Sequence, residues 1–293
     1  MRIGLYPGCS LTGSSREYKE SVVVVAKALG IILEEVPDWN CCGATAAHNL
    51  NHELALALPT RILALAEQAG FDKLVIPCAA CYSRLTITQD ELNNNPELKA
   101  KIIAHLGMDF KGTMVIQNAI QFIQDDILPI LPAKITKPFD YKVACYYGCL
   151  LVRPHGILKF DRPEDPQTMD AVISAIGGTP IEWAFKNECC GAAMSIARTD
   201  VVGKLSGNIV KDAVDRGAEA IIVACPMCHS NLDMRRPNIN KAMGEKFEQP
   251  VIYITQAIGL AIGLSPKELG LQRHFVAVNL PEKKVVETIM EEK

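Results

Sequence analysis

The chain has 293 residues, of which 49% are hydrophobic and 6% aromatic, and its formal net charge is -3. That length suits two domains of about 150 residues each, and the near-neutral balance leaves no electrostatic footprint for nucleic acid. No export signal opens the sequence and no apolar run reaches the ~20 residues that cross a bilayer, so a cytoplasmic protein is expected.

Read from the N-terminus, short apolar runs predict strands over residues 3–6, 31–36 and 73–76, and stretches of helical period predict helices over 15–29 and 48–69. Segment 93–137 is broken by Pro96, Pro129 and Pro132; the spacing of Ile102, Ile103 and Leu106, and of Ile116, Ile120, Ile123 and Ile127, predicts a helical connector. The texture then starts again, with strands over 142–145, 180–182 and 220–223 and helices over 168–176 and 200–216. Residues 265–293 are richer in charge, and Ser265-Pro266-Lys267-Glu268 marks a helix start. This tail is expected to lie as an arm over the surface or onto a partner. Strands alternating with helices imply parallel sheets covered by helices. The expected architecture is α/β: two pseudo-twofold-related modules with mainly parallel sheets flanked by helices. The N-terminal module takes 1–137 with its connector, the C-terminal module 138–264, and the tail 265–293.

Ten of the eleven cysteines form two matching sets. The first is Cys9, the doublet Cys41-Cys42-Gly43, then Cys78 and Cys81. The second is Cys149, Cys189-Cys190-Gly191, then Cys225 and Cys228. The intervening gaps are 31 and 35 residues in the first set, 39 and 34 in the second. Flanking residues repeat too: Tyr6-Pro7-Gly8-Cys9 matches Tyr146-Tyr147-Gly148-Cys149, so the repeated unit is a folded module. Each cysteine group follows a predicted strand, where open α/β sheets place their ligand sites. Without an export signal, so many thiols point to metal or redox work in a reducing compartment.

A Cys-x-x-Cys pair alone serves zinc, clusters and redox dithiols equally. Structural zinc takes four ligands, so a fifth thiolate is surplus, and neighbouring cysteines reach two irons of a larger group more easily than one small ion. Iron–sulfur clusters are the better match, with zinc in one or both halves as the alternative. The glycine after each doublet permits a tight turn, and Pro77 and Pro226 stiffen the Cys-x-x-Cys loops. Cys145 has no counterpart, Leu5 holding its place, and is read as a core residue.

These motifs resemble the CCG-domain (cysteine-rich) family, and the two-copy form resembles the B subunits of soluble heterodisulfide reductases of methanogenic archaea. The resemblance implies two noncubane [4Fe-4S] clusters, one on Cys9, Cys41, Cys42, Cys78 and Cys81, the other on Cys149, Cys189, Cys190, Cys225 and Cys228. It implies reduction of the coenzyme M–coenzyme B heterodisulfide to two thiols. The implied electron donors are a ferredoxin-like C subunit and a flavin-containing A subunit, in a larger complex with a hydrogenase or formate dehydrogenase. Related subunits serve glycolate, lactate, glycerol-3-phosphate and fumarate-linked oxidoreductases, so an electron relay without its own substrate is the alternative; a zinc-organised scaffold is a third. Proton donors are sought among the histidines: His155, six residues after Cys149, leads, with His48 next and His229 behind. Arg84, Arg153, Arg198 and Lys204 are candidates for the substrate's anionic groups, with Arg235 and Arg236 as further basic residues near the motifs.

Overall fold

The computed structural model describes residues 2–280. Eight strands form two four-stranded sheets: β1 (Ile3–Leu5), β2 (Leu33–Glu35), β3 (Lys73–Ile76) and β4 (Val115–Asn118), then β5 (Lys142–Tyr146), β6 (Thr179–Pro180), β7 (Ala220–Val223) and β8 (Val251–Tyr253). The orders are β2-β1-β3-β4 and β6-β5-β7-β8, and every pairing is parallel. The expected α/β class and its duplication are therefore present, with helices flanking each sheet. Central strands β3 and β7 are buried along their whole length, which is why they read as unbroken apolar runs. Edge strand β2 is different. Glu34 pairs with Arg2 and Glu35 with Lys19, charges that discourage pairing with a second molecule.

Three expectations need correction, and one strand, β8, has no counterpart among them. The predicted connector contains a strand, β4, which completes the first sheet; Ile116 lies on it rather than on a helical face. Its equivalent, β8, is hidden at the head of the apolar run that continues into the helix Ile254–Ala261. Both strands hand over to a helix through the same device. Gln121 Oε1 accepts from Asn118 N at 3.0 Å, and Gln256 Oε1 accepts from Tyr253 N at 2.8 Å, satisfying a donor that the helix start leaves free. The helix predicted over 48–69 is two, Ala47–Leu50 and His52–Gln68. Asn51 separates them because its side chain accepts from Leu54 N at 2.9 Å, an N-cap that restarts the helix. Strand β6 sits earlier than predicted, ending at Pro180, which lacks a donor N–H and is tolerated at a sheet edge.

The halves share one continuous apolar core. Helix Arg16–Ala28 of the first half lies against Ile254–Ala261 of the second. There the Tyr18 ring stacks on Tyr253, centroids 3.9 Å apart, Ser21 Oγ meets Thr255 Oγ1 at 2.7 Å, and Tyr18 OH donates to Ala224 O at 3.1 Å. Tail residues up to 280 lie over the chain's own surface, with Leu269 and Leu271 buried and Arg273 paired to Glu20 across the halves at 2.9 Å. The predicted helix start is a turn, closed by Glu268 Oε2 accepting from Ser265 N and Oγ. The remainder of the expected tail, 281–293, lies outside the described residues. Among the described residues no helix is long and apolar enough to cross a membrane.

Candidate metal centre

Each cysteine group sits just past the carboxyl end of a strand. Cys9 follows β1 on the short helix Gly8–Thr12, and Cys149 occupies the matching turn after β5. The doublets follow β2 and β6. Cys78 is the N-cap of helix Ala79–Asn94, and Cys225 that of Pro226–Leu232, so Cys81 and Cys228 fall in the first turn of a helix. Three chain segments in each half thereby deliver five thiols to one place. Cys42 Sγ lies 3.2 Å from Cys81 Sγ, Cys41 Sγ 3.9 Å from Cys9 Sγ, and Cys190 Sγ 3.9 Å from Cys228 Sγ. Cys42, Cys78, Cys81, Cys190, Cys225 and Cys228 are buried, while Cys9, Cys41 and Cys189 open to solvent.

Local backbone explains the sequence signature. Gly43 and Gly191 take φ +74° and +80°, a left-handed conformation that favours glycine. The turn aims the glycine N–H back at the first doublet sulfur, 3.5 Å from Cys41 Sγ and 3.3 Å from Cys189 Sγ. The sequence alone assigns no role to a second glycine pair in the repeat. Gly8 and Gly148, at φ +61° and +69°, pass so close to the thiols that an added Cβ would stand 3.3 Å from Cys81 Sγ and 2.8 Å from Cys228 Sγ. The tyrosine two residues before each of these glycines likewise gains its role only in the structure. Tyr6 OH donates to Asn40 O at 2.9 Å and Tyr146 OH to Glu188 O at 2.6 Å, pinning each doublet loop to its central strand. The signal for both is the repeated Tyr-x-Gly-Cys.

The two sets meet. Cys78 and Cys225, both buried, approach each other across the halves closely enough that each perturbs the other's ionisation. Tyr18, beside this pair, has its phenol held protonated by burial first and by the two sulfurs second. Contacts among thiols also sort their charge. Hydrogen bonds from Cys41 and Cys81 pull Cys42 down to about 3, and one from Cys149 pulls Cys189 down to about 6. The same contacts push the partner thiols Cys41, Cys81 and Cys149 up, so each contact favours one thiolate beside one thiol.

The remaining candidates are scattered. His155 opens the short helix His155–Leu158 and His48 lies on Ala47–Leu50; both are exposed. Arg153 is paired to Glu164 at 3.1 Å and Arg198 to Asp200 at 2.8 Å. Lys204 is exposed and Arg84 half-buried, and neither has an ion-pair partner among the described residues. Two sequence neighbours of the motifs are structural instead. His229 is buried against Tyr253, with Nε2 3.0 Å from Val251 O, and burial holds its pKa well below the usual imidazole value. Arg236 is buried and donates to the carbonyls of Leu232, Phe247 and Gln249. Cys145 lies wholly buried on β5.

Donor chemistry tests the fit to a metal group. Each set supplies soft sulfur only, five donors rather than four, with backbone N–H groups turned toward them and glycines clearing the space. That combination suits a polynuclear iron–sulfur group better than a single tetrahedral ion.

Comparison with known proteins agrees with this layout. The model of the CCG cysteine-rich domain matches residues 3–86 and 143–233. The membrane anchor subunit of the 8-methylmenaquinol:fumarate reductase of Wolinella succinogenes is 30% identical, over 92% of this chain and 95% of its own. The B subunit of the ferredoxin/F(420)H(2)-dependent CoB-CoM heterodisulfide reductase of Methanosarcina acetivorans is also 30% identical, over 94% of both chains. A protein of Archaeoglobus profundus, named as like the B subunit of heterodisulfide reductase, is 26% identical over 100% of this chain and 99% of its own. Among solved structures, a hypothetical protein from Helicobacter pylori shares the fold with a TM-score of 0.77 at 14% identity, over 95% of this chain. The chain spans about half, 52%, of that structure's length. Both thiol sets fall inside the matched segments, and the chain belongs to the CCG cysteine-rich domain family.

Proposed function

We propose that the chain is the disulfide-reducing subunit of a heterodisulfide reductase, acting on the mixed disulfide of coenzyme M and coenzyme B at two noncubane [4Fe-4S] clusters. The observation that carries this reading is the meeting of Cys78 and Cys225, which sets two five-thiol sites side by side. The reaction adds two electrons and two protons to R–S–S–R′ and releases RSH and R′SH. When bound, the iron–sulfur groups would supply the electrons singly and hold sulfur. The ligands would be Cys9, Cys41, Cys42, Cys78 and Cys81 on one side, and Cys149, Cys189, Cys190, Cys225 and Cys228 on the other.

The chain's own residues do the rest. In this reading His155 and His48, exposed on short helices that follow the cysteine loops, take protons from solvent and pass them to the leaving sulfurs. Lys204 and Arg84, without a carboxylate partner among the described residues, serve the substrate's sulfonate, carboxylate and phosphate; Arg153 and Arg198 join only by giving up Glu164 and Asp200. Electrons come from a ferredoxin-like C subunit and a flavin-containing A subunit, in a cytoplasmic complex with a hydrogenase or formate dehydrogenase.

One observation favours a second reading. The Wolinella relative is named for a fumarate reductase, so the same two sites would serve as a relay between a quinol and a dehydrogenase partner. Anaerobically reconstituted, dithionite-reduced protein separates the two. Release of two thiols per heterodisulfide supports the reductase; an intact heterodisulfide beside clusters that a quinone analogue reoxidises rejects it in favour of the relay.

A further inference from the structure

The two thiol sets are built alike, but the residues that follow their last cysteines differ. Cys81 is followed by Tyr82-Ser83-Arg84 and Cys228 by His229-Ser230-Asn231. The third residue is a long cation in the first half and a short amide in the second. Asn231 is wholly buried, and its Nδ2 donates to Cys190 O at 3.0 Å and lies 3.7 Å from Cys190 Sγ. The carbonyl fixes the amide's orientation, since the flipped rotamer would set two oxygens against each other. Ser206 Oγ already donates to the same carbonyl at 2.9 Å.

In the first half the doublet is held differently. Asn40 Nδ2 donates to Cys41 O at 2.9 Å and Leu58 O at 3.1 Å, and among the described residues no side-chain amide reaches Cys42 Sγ. Arg84 is half-buried, and among the described residues its guanidinium makes no hydrogen bond to a cysteine sulfur.

The remaining atom of the amide is informative. Among the described residues Asn231 Oδ1 is buried without a hydrogen-bond partner, an arrangement that costs free energy and needs a reason. Holding Cys190 O does not supply one, because Ser206 does that already. What Asn231 adds is an N–H beside a sulfur. Hydrogen bonds to ligand sulfurs stabilise the extra negative charge of a reduced iron–sulfur group and raise its potential.

Resting on the iron–sulfur reading above, we propose that Asn231 is a positioning residue that, through Cys190, makes the second cysteine set the higher-potential site of the two. The first electron delivered then settles on the C-terminal half, and the first half is reduced second. The halves are duplicated in fold but ordered in use.

The test is a potentiometric titration of the anaerobically reconstituted full chain, followed by electron paramagnetic resonance. The component lost in Cys190→Ser identifies the second site, and in the unsubstituted protein it should have the higher midpoint. Asn231→Leu removes the donor while keeping the branching at Cγ, and Asn231→Asp keeps the shape while replacing the donor by an acceptor. At the original midpoint of the second component, the ratio of reduced to oxidised form should fall about tenfold in Asn231→Leu (59 mV for one electron) and further in Asn231→Asp, with the first component unmoved. A lower midpoint for the second site in the unsubstituted protein overturns the proposal, as do unshifted midpoints in either iron-loaded variant. A second site that binds no iron at all refutes instead the iron–sulfur reading on which the proposal stands.

Discussion

Gly148→Ala sets one methyl carbon 2.8 Å from Cys228 Sγ on a backbone at φ +69°. Two costs combine. An L-residue held in the left-handed region costs about 1–2 kcal/mol. The contact is about 0.8 Å shorter than ordinary van der Waals separation, and pushing a buried sulfur aside in a packed interior costs about 1–3 kcal/mol more. The sum is about 2–5 kcal/mol. Gly244→Ala isolates the first cost, because that glycine has φ +68° but no described residue within 4 Å of its Cβ position; about 1–2 kcal/mol is expected. Gly8→Ala, 3.3 Å from Cys81 Sγ, should fall between. Urea denaturation of the reduced, metal-free protein ranks the three without reference to any cofactor. If Gly148→Ala is no less stable than Gly244→Ala, the close approach of this backbone to the thiol is wrong. Iron uptake after anaerobic reconstitution adds a second readout, with Gly148→Ala expected to load the second site poorly.

Other consequences follow from the same geometry. Tyr18→Phe keeps the stack on Tyr253 but leaves Ala224 O unpaired, an expected loss of about 1–3 kcal/mol, whereas Tyr18→Ala should lose about 3–5 kcal/mol; equal denaturation midpoints for the two would remove the ring from the interface account. Burial holds His274 below its usual value of 6.5, so the unfolded chain binds a proton that the folded chain resists. Stability contributed there is full above about pH 6.5 and declines as pH falls toward the folded value. His274→Gln should therefore lose less stability than the unsubstituted chain between about pH 7.5 and 5.5, and an identical loss would show that the buried ring is not responsible. Cys42→Ser and Cys190→Ser should each abolish heterodisulfide turnover while leaving the visible absorbance of one site; full activity in either rejects a two-site reaction. His155→Gln should slow turnover on the order of a hundredfold, with His48→Gln milder, and unchanged rates in both would send the search for proton donors elsewhere.

Much of this molecule is legible as text because its signals are local and doubled. The central strands are short apolar runs, and a parallel strand buried on both faces leaves no polar alternation to confuse with anything else. Cysteine spacing carries the two sites, and the repeated Tyr-x-Gly-Cys and Cys-Cys-Gly contain their backbone geometry for a reader who asks why glycine recurs beside a thiol. Elements defined by their neighbours are harder to see. Strands β4 and β8 exist because β3 and β7 offer them a paired edge, and three or four residues carry no period of their own. His229 and Arg236 look like functional neighbours of Cys228 by number, yet helical geometry turns both into the packing of the second half. The meeting of Cys78 with Cys225 is encoded nowhere along the chain. It arises from the docking of helix Arg16–Ala28 on Ile254–Ala261 and of Gly8–Thr12 on Pro226–Leu232, contacts between residues more than two hundred positions apart. Ligand chemistry is a property of residue type and spacing and survives in one dimension; the distance between two sites, and the difference Asn231 makes between them, depends on how surfaces pack in three.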